Sequence, residues 1–148
     1  MKDIGFLFYL PRSAMMIKKE TNKILLPEPT EETEQLLLFQ WAELFSRKYA
    51  KLKLLLHIPN GGKREKAEAG RLKAMGVKAG VPDVFLPVPC GNLHGLWIEL
   101  KRIRSGRPTT AQKEWITLLN EQGYAAQLCH GWEHASKVIL DYLNENAK

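Results

Sequence analysis

Two short apolar runs joined by a turn constrain the fold of this chain more than any other feature. The first run, Val84–Val88, follows Gly80-Val81-Pro82-Asp83, and the second, Leu96–Ile98, leads directly into Glu99-Leu100-Lys101. Both runs are rich in β-branched, aromatic or other large apolar residues and are bounded by Gly, Pro and Asn. This pattern predicts the two strands of a hairpin.

The register of this hairpin decides which polar side chains meet. A connection of five residues, 89–93, places Asp83 opposite Glu99 in the antiparallel pair. Because successive side chains of a strand point to opposite faces, Glu99 and Lys101 share one face and Leu100 lies on the other. We therefore expect two carboxylates and one ammonium group to converge at one end of the hairpin.

This convergence has a purely structural explanation and a chemical one. A Glu-x-Lys pair on a strand is often only a solvated face, and an Asp after Pro often begins a strand or a turn. Here, however, Glu99 and Lys101 extend the apolar run Leu96–Ile98, and a buried charge needs a partner or a metal because an unpaired one is costly. We favour a site where Asp83 and Glu99 bind a hard divalent cation through oxygen, with Lys101 beside its water.

Composition is typical of a single globular domain. The chain has 148 residues, 45% of them hydrophobic and 26% charged, which is enough for one core. Its net charge of +6 permits a polyanionic partner without requiring one. Cys90 and Cys129 match no zinc-binding spacing, which predicts a reduced, cytoplasmic protein. No apolar run approaches the length of a membrane span, and Ile4–Leu10 lacks the flanks of a signal peptide.

We divide the chain into an N-terminal extension, residues 1–29, and a domain, residues 30–148. The sequence assigns no role to the extension. Its segment Ile4–Leu10 could be an edge strand. Three lysines of the extension could contact a phosphate backbone, although a solvated arm is the simpler interpretation: Lys18, Lys19 and Lys23.

A helix is predicted from its N-cap at Thr30 to about Ala50, with glutamates in the first turn that complement the helix dipole. One stripe at helical spacing is expected to face inward. Its members are Glu31, Gln35, Leu38, Ala42, Phe45 and Tyr49. Glu31 lies at the N-terminal end of that face and could be a third carboxylate at the hairpin site. Glu34, on the neighbouring stripe, is the alternative, and dipole complementarity alone is the structural explanation.

Between this helix and the hairpin, the sequence predicts a buried strand over Leu52–Ile58 and a helix over Arg64–Met75. Pro59-Asn60-Gly61-Gly62 ends the strand, and Gly76 ends the helix as its C-cap. The basic residues here are expected to form mainly a solvated face. Since they directly precede the Gly80–Asp83 turn, some of them could follow a phosphate backbone: Lys63, Arg64, Lys66, Arg71, Lys73 and Lys78. His57 and Asn60 could also approach a phosphate, although a turn is the simpler role of Asn60.

After the hairpin, a basic loop could clamp phosphates through Arg102, Arg104 and Arg107. A helix then runs from a cap at Thr109 or Thr110 to about Gln122, and Gly123 stops it.

Within that helix, Gln112 lies three residues after Thr109, so a capping box accounts for it. Trp115, Leu118 and Leu119 are expected to pack in the core. A strand over Tyr124–His130 and an amphipathic helix over Trp132–Asn144 close the chain. This order predicts an α/β fold with a mixed sheet that helices cover on both faces.

With these residues in view, the chain resembles the VRR-NUC (virus-type replication–repair nuclease) family of the PD-(D/E)xK superfamily, over about residues 31–143. The most specific segments are 58–64, 76–83 and 97–101, and residues 112–115 add to them. The standalone phage and prophage members of the family are the most similar in size.

The resemblance implies a role for each matching residue. The metal-binding acids of the family fall on Asp83 and Glu99, its catalytic lysine on Lys101 and its supporting glutamine on Gln112. Its first-helix glutamate falls on Glu31, with Glu34 as the alternative. The implied cofactor is Mg²⁺ or Mn²⁺, held also by the backbone carbonyl of Leu100 and, through water, by Glu31.

The resemblance also implies an αβββαβ restriction-endonuclease-like core, DNA cleavage of the kind used in DNA repair, and a homodimer similar to the archaeal Holliday junction resolvases. The expected location is the cytoplasm of a bacterium or of a phage-infected host. Seven residues are expected to contact DNA: Asn60, Lys63, Arg64, Lys78, Arg102, Arg104 and Arg107.

Several functions are compatible with this pattern. A metal-dependent, structure-selective DNA endonuclease similar to the junction resolvases agrees best with the intact set of Asp83, Glu99 and Lys101. A flap, nick or general DNA endonuclease is the alternative within the same chemistry. Two rivals lie outside it, namely a non-catalytic DNA-binding module on the same fold and a small α/β scaffold whose charges only keep it soluble.

Overall fold

The structure is a computed structural model that describes residues 27–59 and 66–144 of the chain. The possible edge strand over residues 4–10 and the lysines of the N-terminal extension lie outside these residues. Three of the expected DNA contacts, Asn60, Lys63 and Arg64, also lie outside them. No helix within the described ranges is long and apolar enough to cross a membrane.

Four strands of the described ranges form one mixed sheet in the order β1-β2-β3-β4. The strands are β1 (Leu56–His57), β2 (Val84–Leu86), β3 (Leu96–Lys101) and β4 (Ala125–His130). The pairs β1–β2 and β2–β3 are antiparallel, whereas β3 and β4 are parallel. The predicted α/β fold with a mixed sheet is confirmed.

Four α-helices surround this sheet within the same ranges. They are α1 (Glu31–Phe45), α2 (Lys66–Ala74), α3 (Thr110–Glu121) and α4 (Trp132–Asn144). Helices α1 and α4 share one core with the strand residues Leu96, Ile98 and Leu100. Helix α3 reaches the other face of β3, where Gln112 contacts Glu99. The sheet therefore has helices on both faces.

The hairpin has the predicted register. Val84 pairs with Ile98 and Leu86 with Leu96, so the next pair along the ladder is Asp83 with Glu99. Strand β2, the first strand of the hairpin, ends at Leu86, two residues earlier than predicted. The reason is that residue 87 is proline, which has no N–H to donate to the ladder.

Helix α1 begins as predicted but ends earlier. The Thr30 side chain accepts a hydrogen bond from the Thr33 N–H at 3.1 Å, which caps the helix. The predicted inward stripe is buried at Leu38 and Ala42. The helix stops at Phe45, where the Ser46 N–H and hydroxyl both donate to the Glu43 carbonyl. The predicted extension to about Ala50 was therefore wrong.

Phe45, the last residue of α1, was predicted to face the core but is 37% exposed. Tyr49, also on the predicted stripe, lies beyond the helix and packs against the core while partly buried.

The predicted buried strand over Leu52–Ile58 was wrong for most of its length. Residues Ala50–Leu54 form a 3₁₀-helix, and only Leu56 and His57, both exposed, belong to a strand. Leu52 and Leu55 are the buried members of the run. Their spacing of three residues is the repeat of a 3₁₀ turn, which a short unbroken apolar run conceals.

The remaining elements agree closely with the predictions. Gly76 follows α2 with a φ of 98°, as a C-cap glycine does. Helix α4 begins and ends at the predicted residues. Leu118, predicted to pack in the core, is 53% exposed, whereas the adjacent Leu119 is buried. Successive residues lie about 100° apart around the helix axis, and of these two leucines only Leu119 is on the buried side of α3.

Glu34 joins α1 to α4. Its side chain is only 1% exposed, and its Oε2 accepts a hydrogen bond from the Trp132 N–H at 2.9 Å. Trp132 is the first residue of α4, and the N–H groups at the start of a helix have no partner within it. A buried carboxylate from a distant helix therefore caps the start of α4.

We expect Glu34→Ala to lower the free energy of unfolding by about 1–3 kcal/mol, because the Trp132 N–H loses its acceptor. Glu32→Ala is the matched control in the same turn of α1. It removes an exposed carboxylate and is expected to cost less than about 1 kcal/mol. Urea unfolding of both variants measures the difference, and equal losses would contradict the capping role of Glu34.

Candidate active site

The turn that precedes β2 is held against helix α3. Gly80 has a φ of +83°, and a Cβ added there would lie 2.7 Å from the backbone carbon of Ala111. The indole N–H of Trp115 donates to the Ala79 carbonyl at 3.0 Å. Trp115, expected to pack in the core, is not part of the core cluster of the described residues and instead fixes the turn. This close approach requires glycine and determines where Asp83 begins the strand.

Asp83 is fixed through both its backbone and its side chain. Its carbonyl accepts from the Ile58 N–H at 2.8 Å, and its Oδ2 accepts from the Leu100 N–H at 3.1 Å. The Nδ1 of His57 lies 2.9 Å from the same carbonyl. Because a carbonyl can only accept, this His57 nitrogen carries the hydrogen. Asp83 is therefore held between β1 and β3 in one position.

Glu99 and Lys101 lie on the same face of β3, as the period of two predicted. The Lys101 Nζ is 2.8 Å from the Glu99 Oε1, and both side chains are buried. The Gln112 side-chain N–H group donates to the same Glu99 oxygen. The other oxygen, Oε2, is buried and has no hydrogen-bond partner in the described part of the chain. Apart from the Asp83 carboxyl group, with which Glu99 can share a proton, no described group competes for this oxygen.

Gln112 has two structural roles at once. Its Oε1 accepts from the Thr109 N–H at 2.8 Å, and the Thr109 hydroxyl accepts from the Gln112 N–H at 3.3 Å. The predicted capping box is confirmed. The Nε2 of the same side chain reaches Glu99. A residue that the capping pattern accounts for thus also orients the site.

The structure separates the two candidate glutamates of α1. The Oε2 of Glu31 lies 3.3 Å from the Lys101 Nζ, and the side chain is 45% exposed. Glu34 instead caps α4 from inside the core. Glu31 is therefore the acidic residue of α1 that lies at the lysine.

Burial dominates the electrostatics of the two carboxylates. Removal from water raises the pKa of Glu99 to about 7, and the negative charge of Asp83 adds to the shift against the opposing effect of Lys101. Burial likewise raises the pKa of Asp83, although the Leu100 N–H and Lys101 oppose it. Near neutral pH the pair therefore retains a proton that a cation could displace.

The pKa of Lys101 shifts in the opposite direction to the pKa of an isolated buried lysine. Burial alone lowers the pKa of its ammonium group, but the hydrogen bond to Glu99 and the charges of Glu99, Glu31 and Asp83 outweigh it and raise the pKa. Lys101 is therefore a cation throughout the physiological pH range. It can donate hydrogen bonds and offset negative charge, but it cannot accept a proton.

The donor set is suited to a hard divalent cation. Asp83 and Glu99 supply carboxylate oxygens, and the buried Oε2 of Glu99 has no other partner in the described structure. Leu100 lines the same cavity as Asp83 and can add its carbonyl. Among the described residues no group of three or more His, Cys, Asp or Glu side chains is placed to hold a metal. Water would therefore have to complete the coordination of a cation held here, as it usually does for Mg²⁺.

Two cavities, each about 470 Å³, lie on either side of the first turn of α1, and Glu31 and Glu32 line both. The first also contains Gln35, His57, Pro59, Asp83 and Leu100, and we call it the acidic cavity. The second also contains Thr30, Arg102, Ser105, Gly106 and Arg107, and we call it the basic cavity. An anionic chain could pass from the arginines of one to the carboxylates of the other.

The expected DNA contacts differ in their placement. Arg102 and Arg107 line the basic cavity, and Arg104 lies exposed in the same loop. The guanidinium group of Arg107 also donates to the carbonyls of Arg104 and Gly106, at 3.2 and 3.0 Å, so it holds the shape of the loop. Lys78 is exposed before the Asp83 turn.

Comparison with known proteins assigns the chain to a family. The VRR-NUC domain matches residues 30–133 of the chain. A solved structure described as a VRR_NUC domain protein is 32% identical and superposes with a TM-score of 0.71, covering 82% of this chain and 93% of its own. The chain belongs to the VRR-NUC family. None of the curated proteins matches it.

The first prediction for this VRR-NUC domain concerns the pH dependence of its stability. Burial raises the pKa of Glu99 from its ordinary 4.5 to about 7. A raised carboxyl pKa favours the folded state at pH values below 4.5, and that benefit is lost as the pH rises through 7. In EDTA, the free energy of unfolding of the native protein should therefore fall relative to that of Glu99→Gln as the pH rises from 5 to 8. The difference between the two should shift in favour of the variant by up to about 3 kcal/mol.

Chemical denaturation at several pH values measures this gain. A stability difference between Glu99→Gln and the native protein that stays constant from pH 5 to pH 8 would contradict the raised pKa. Addition of Mg²⁺ at pH 8 should stabilise the native protein and not the variant, because only the native protein keeps both carboxylates.

The second prediction separates the two roles of Gln112. Glutamate is accepted at this position of a capping box, so Gln112→Glu should preserve the start of α3. It replaces a donor to Glu99 with a third carboxylate and should lower nuclease activity by about 10- to 100-fold. Full activity of Gln112→Glu in a cleavage assay would show that its contact with Glu99 is dispensable.

Proposed function

We propose that this VRR-NUC domain is a metal-dependent, structure-selective DNA endonuclease that cuts branched DNA in the manner of a Holliday junction resolvase. The observation that carries the proposal is the convergence of Asp83, Glu99 and Lys101, with one buried Glu99 oxygen that has no partner in the described structure. Family membership supports nuclease chemistry with DNA as the partner.

Mg²⁺ or Mn²⁺ would be held by Asp83, by the free oxygen of Glu99 and by the Leu100 carbonyl, with Glu31 in reach through water. Oxygen donors of this kind favour these ions over softer metals. Such an ion supplies an acidified water as nucleophile and stabilises negative charge on the phosphate.

The chain's own residues would orient and stabilise the reacting groups. Lys101, a permanent cation between Glu99 and Glu31, donates hydrogen bonds to the attacking water or to the phosphate oxygen that gains charge. Gln112 holds Glu99 from α3, so the carboxylate presents its second oxygen in a fixed direction. Since these donors are already in place, little reorganisation is needed when charge develops.

The two arginines of the basic cavity, which Glu31 and Glu32 also line, support a phosphate backbone as the ligand. Arg102 and Arg107 line this cavity, and Glu31 is shared with the acidic cavity. These arginines would hold the DNA through its phosphates, which makes binding sensitive to salt and largely independent of sequence.

Resolution of a junction requires two active sites, because a four-way junction is symmetric and is cut on opposed strands. We therefore propose that the active form is a homodimer. A monomer that prefers flaps or nicked duplexes would instead indicate the alternative endonuclease activity.

The test is cleavage of labelled duplex, flap, nicked and four-way DNA in the presence of Mg²⁺, Mn²⁺ or EDTA. We expect cleavage with either metal, a preference for the four-way DNA and none in EDTA. Size-exclusion chromatography with light scattering gives the oligomeric state of the same sample. Binding of all four DNAs without cleavage under any condition would indicate a non-catalytic DNA-binding module instead.

In the same assay, Lys101→Ala should bind DNA but cut it at least about a hundredfold more slowly, because the charge on the phosphate loses its stabiliser. Asp83→Asn should lose its metal-dependent activity. Lys113→Ala is the control, since it removes an exposed lysine of α3 outside the site. Near-native cleavage by Lys101→Ala, or undiminished turnover of Asp83→Asn, would remove that residue from the mechanism.

A further inference from the structure

The basic loop after β3 already holds an anion of the protein's own. The carboxylate of Glu28 accepts hydrogen bonds from the backbone N–H groups of Arg104 and Ser105, the latter at 3.1 Å. Its second oxygen accepts from the Ser105 hydroxyl at 2.6 Å. Three donors from two successive residues thus converge on one carboxylate that lies more than seventy positions earlier in the chain.

These donors are those of an anion site. Successive backbone N–H groups and a hydroxyl bind phosphate oxygens as readily as carboxylate oxygens. Arg102 and Arg107 line the cavity that also contains Ser105, together with Glu31 and Glu32. Hydrogen bonds from Ser105 and Arg104 lower the pKa of Glu28 to about 2, so its carboxylate remains ionised at physiological pH.

The position of this site relates it to the reacting groups. Ser105 lies four residues after Lys101, and the basic cavity that contains it shares Glu31 with the acidic cavity. Gly106 packs against the start of the same loop, where an added Cβ would lie 2.7 Å from the Lys101 Cβ. The loop therefore packs directly against Lys101 at Gly106.

We propose that the Arg104 and Ser105 N–H groups and the Ser105 hydroxyl bind a backbone phosphate of the nucleic acid substrate, and that Glu28 occupies this site in the free protein. DNA displaces the carboxylate when it binds. This inference rests on the proposed function, since it takes DNA as the substrate. The inference extends the proposed function by naming a phosphate subsite and an internal competitor for that subsite.

Competition between Glu28 and a DNA phosphate for this site would change the affinity of the protein for DNA. A ligand that must displace an internal occupant binds more weakly, by the fraction of molecules in which the site is open. Removal of the occupant should therefore tighten DNA binding. A contact that only orders the loop makes the opposite prediction, because its removal loosens the arginines that hold the backbone.

The experiment measures the dissociation constant of a labelled four-way DNA in EDTA for the native protein, Glu28→Ala and Glu32→Ala. Glu32 is the matched control, because it lines the basic cavity but makes no hydrogen bond to the described loop. Both variants remove one negative charge. We expect Glu28→Ala to bind at least about threefold more tightly than Glu32→Ala.

A double-mutant cycle with Ser105→Ala identifies the donors. With Glu28 present, loss of the hydroxyl weakens the occupant and the phosphate alike, so affinity should change little. In the Glu28→Ala background, Ser105→Ala should reverse at least about half of the gain in affinity, because only the phosphate then uses the hydroxyl. Melting temperatures of all variants, with Glu28→Gln as the milder replacement, show that the fold is retained.

The results of these measurements test the phosphate subsite separately from the proposed function. Weaker binding by Glu28→Ala, or a gain equal to that of Glu32→Ala, overturns the phosphate subsite, and metal-dependent cleavage by the native protein would then leave the proposed function standing. A native protein that neither binds nor cuts any of the DNAs overturns both. Tighter binding by Glu28→Ala that Ser105→Ala reverses supports the subsite.

Discussion

The carboxylate of Glu99 is the group on which the rest of this structure depends. It lies fully buried beside a second carboxylate, a position that costs free energy unless donors and cations compensate it. Lys101 and Gln112 supply that compensation to one oxygen and leave the other without a partner among the described residues. The site therefore keeps one buried carboxylate oxygen to which the proposed cation could bind.

The fold supplies this environment through the position of β3 within the sheet. Because β3 pairs with β2 on one side and β4 on the other, both its edges are satisfied and its side chains are buried on both faces. Leu96, Ile98 and Leu100 fill the core under α1 and α4. The alternate residues then face α3, and Glu99 meets Gln112 there because the capping box fixes the start of that helix.

The parts of this arrangement that could be predicted follow short-range rules. A period of two and a short connection determine the hairpin register, and a capping pattern locates Gln112. The missed parts depend on contacts that no local pattern encodes. Glu28 stands between two prolines and meets its partners more than seventy residues later. The run around Leu52 and Leu55 is apolar throughout, so its composition does not distinguish a strand from a 3₁₀ turn.

The outer edge of β4 constrains how two copies could assemble. Among the described residues β4 is an edge strand that could pair with another chain, but side chains of its own fold already bond to it at Ala126 and His130. Asn120 exchanges two hydrogen bonds with the Ala126 backbone, at 2.8 and 3.0 Å, as a neighbouring strand would. The His130 N–H donates to the His134 Nδ1 at 3.2 Å. Two copies that assembled by extending the sheet across β4 would therefore first have to break these bonds.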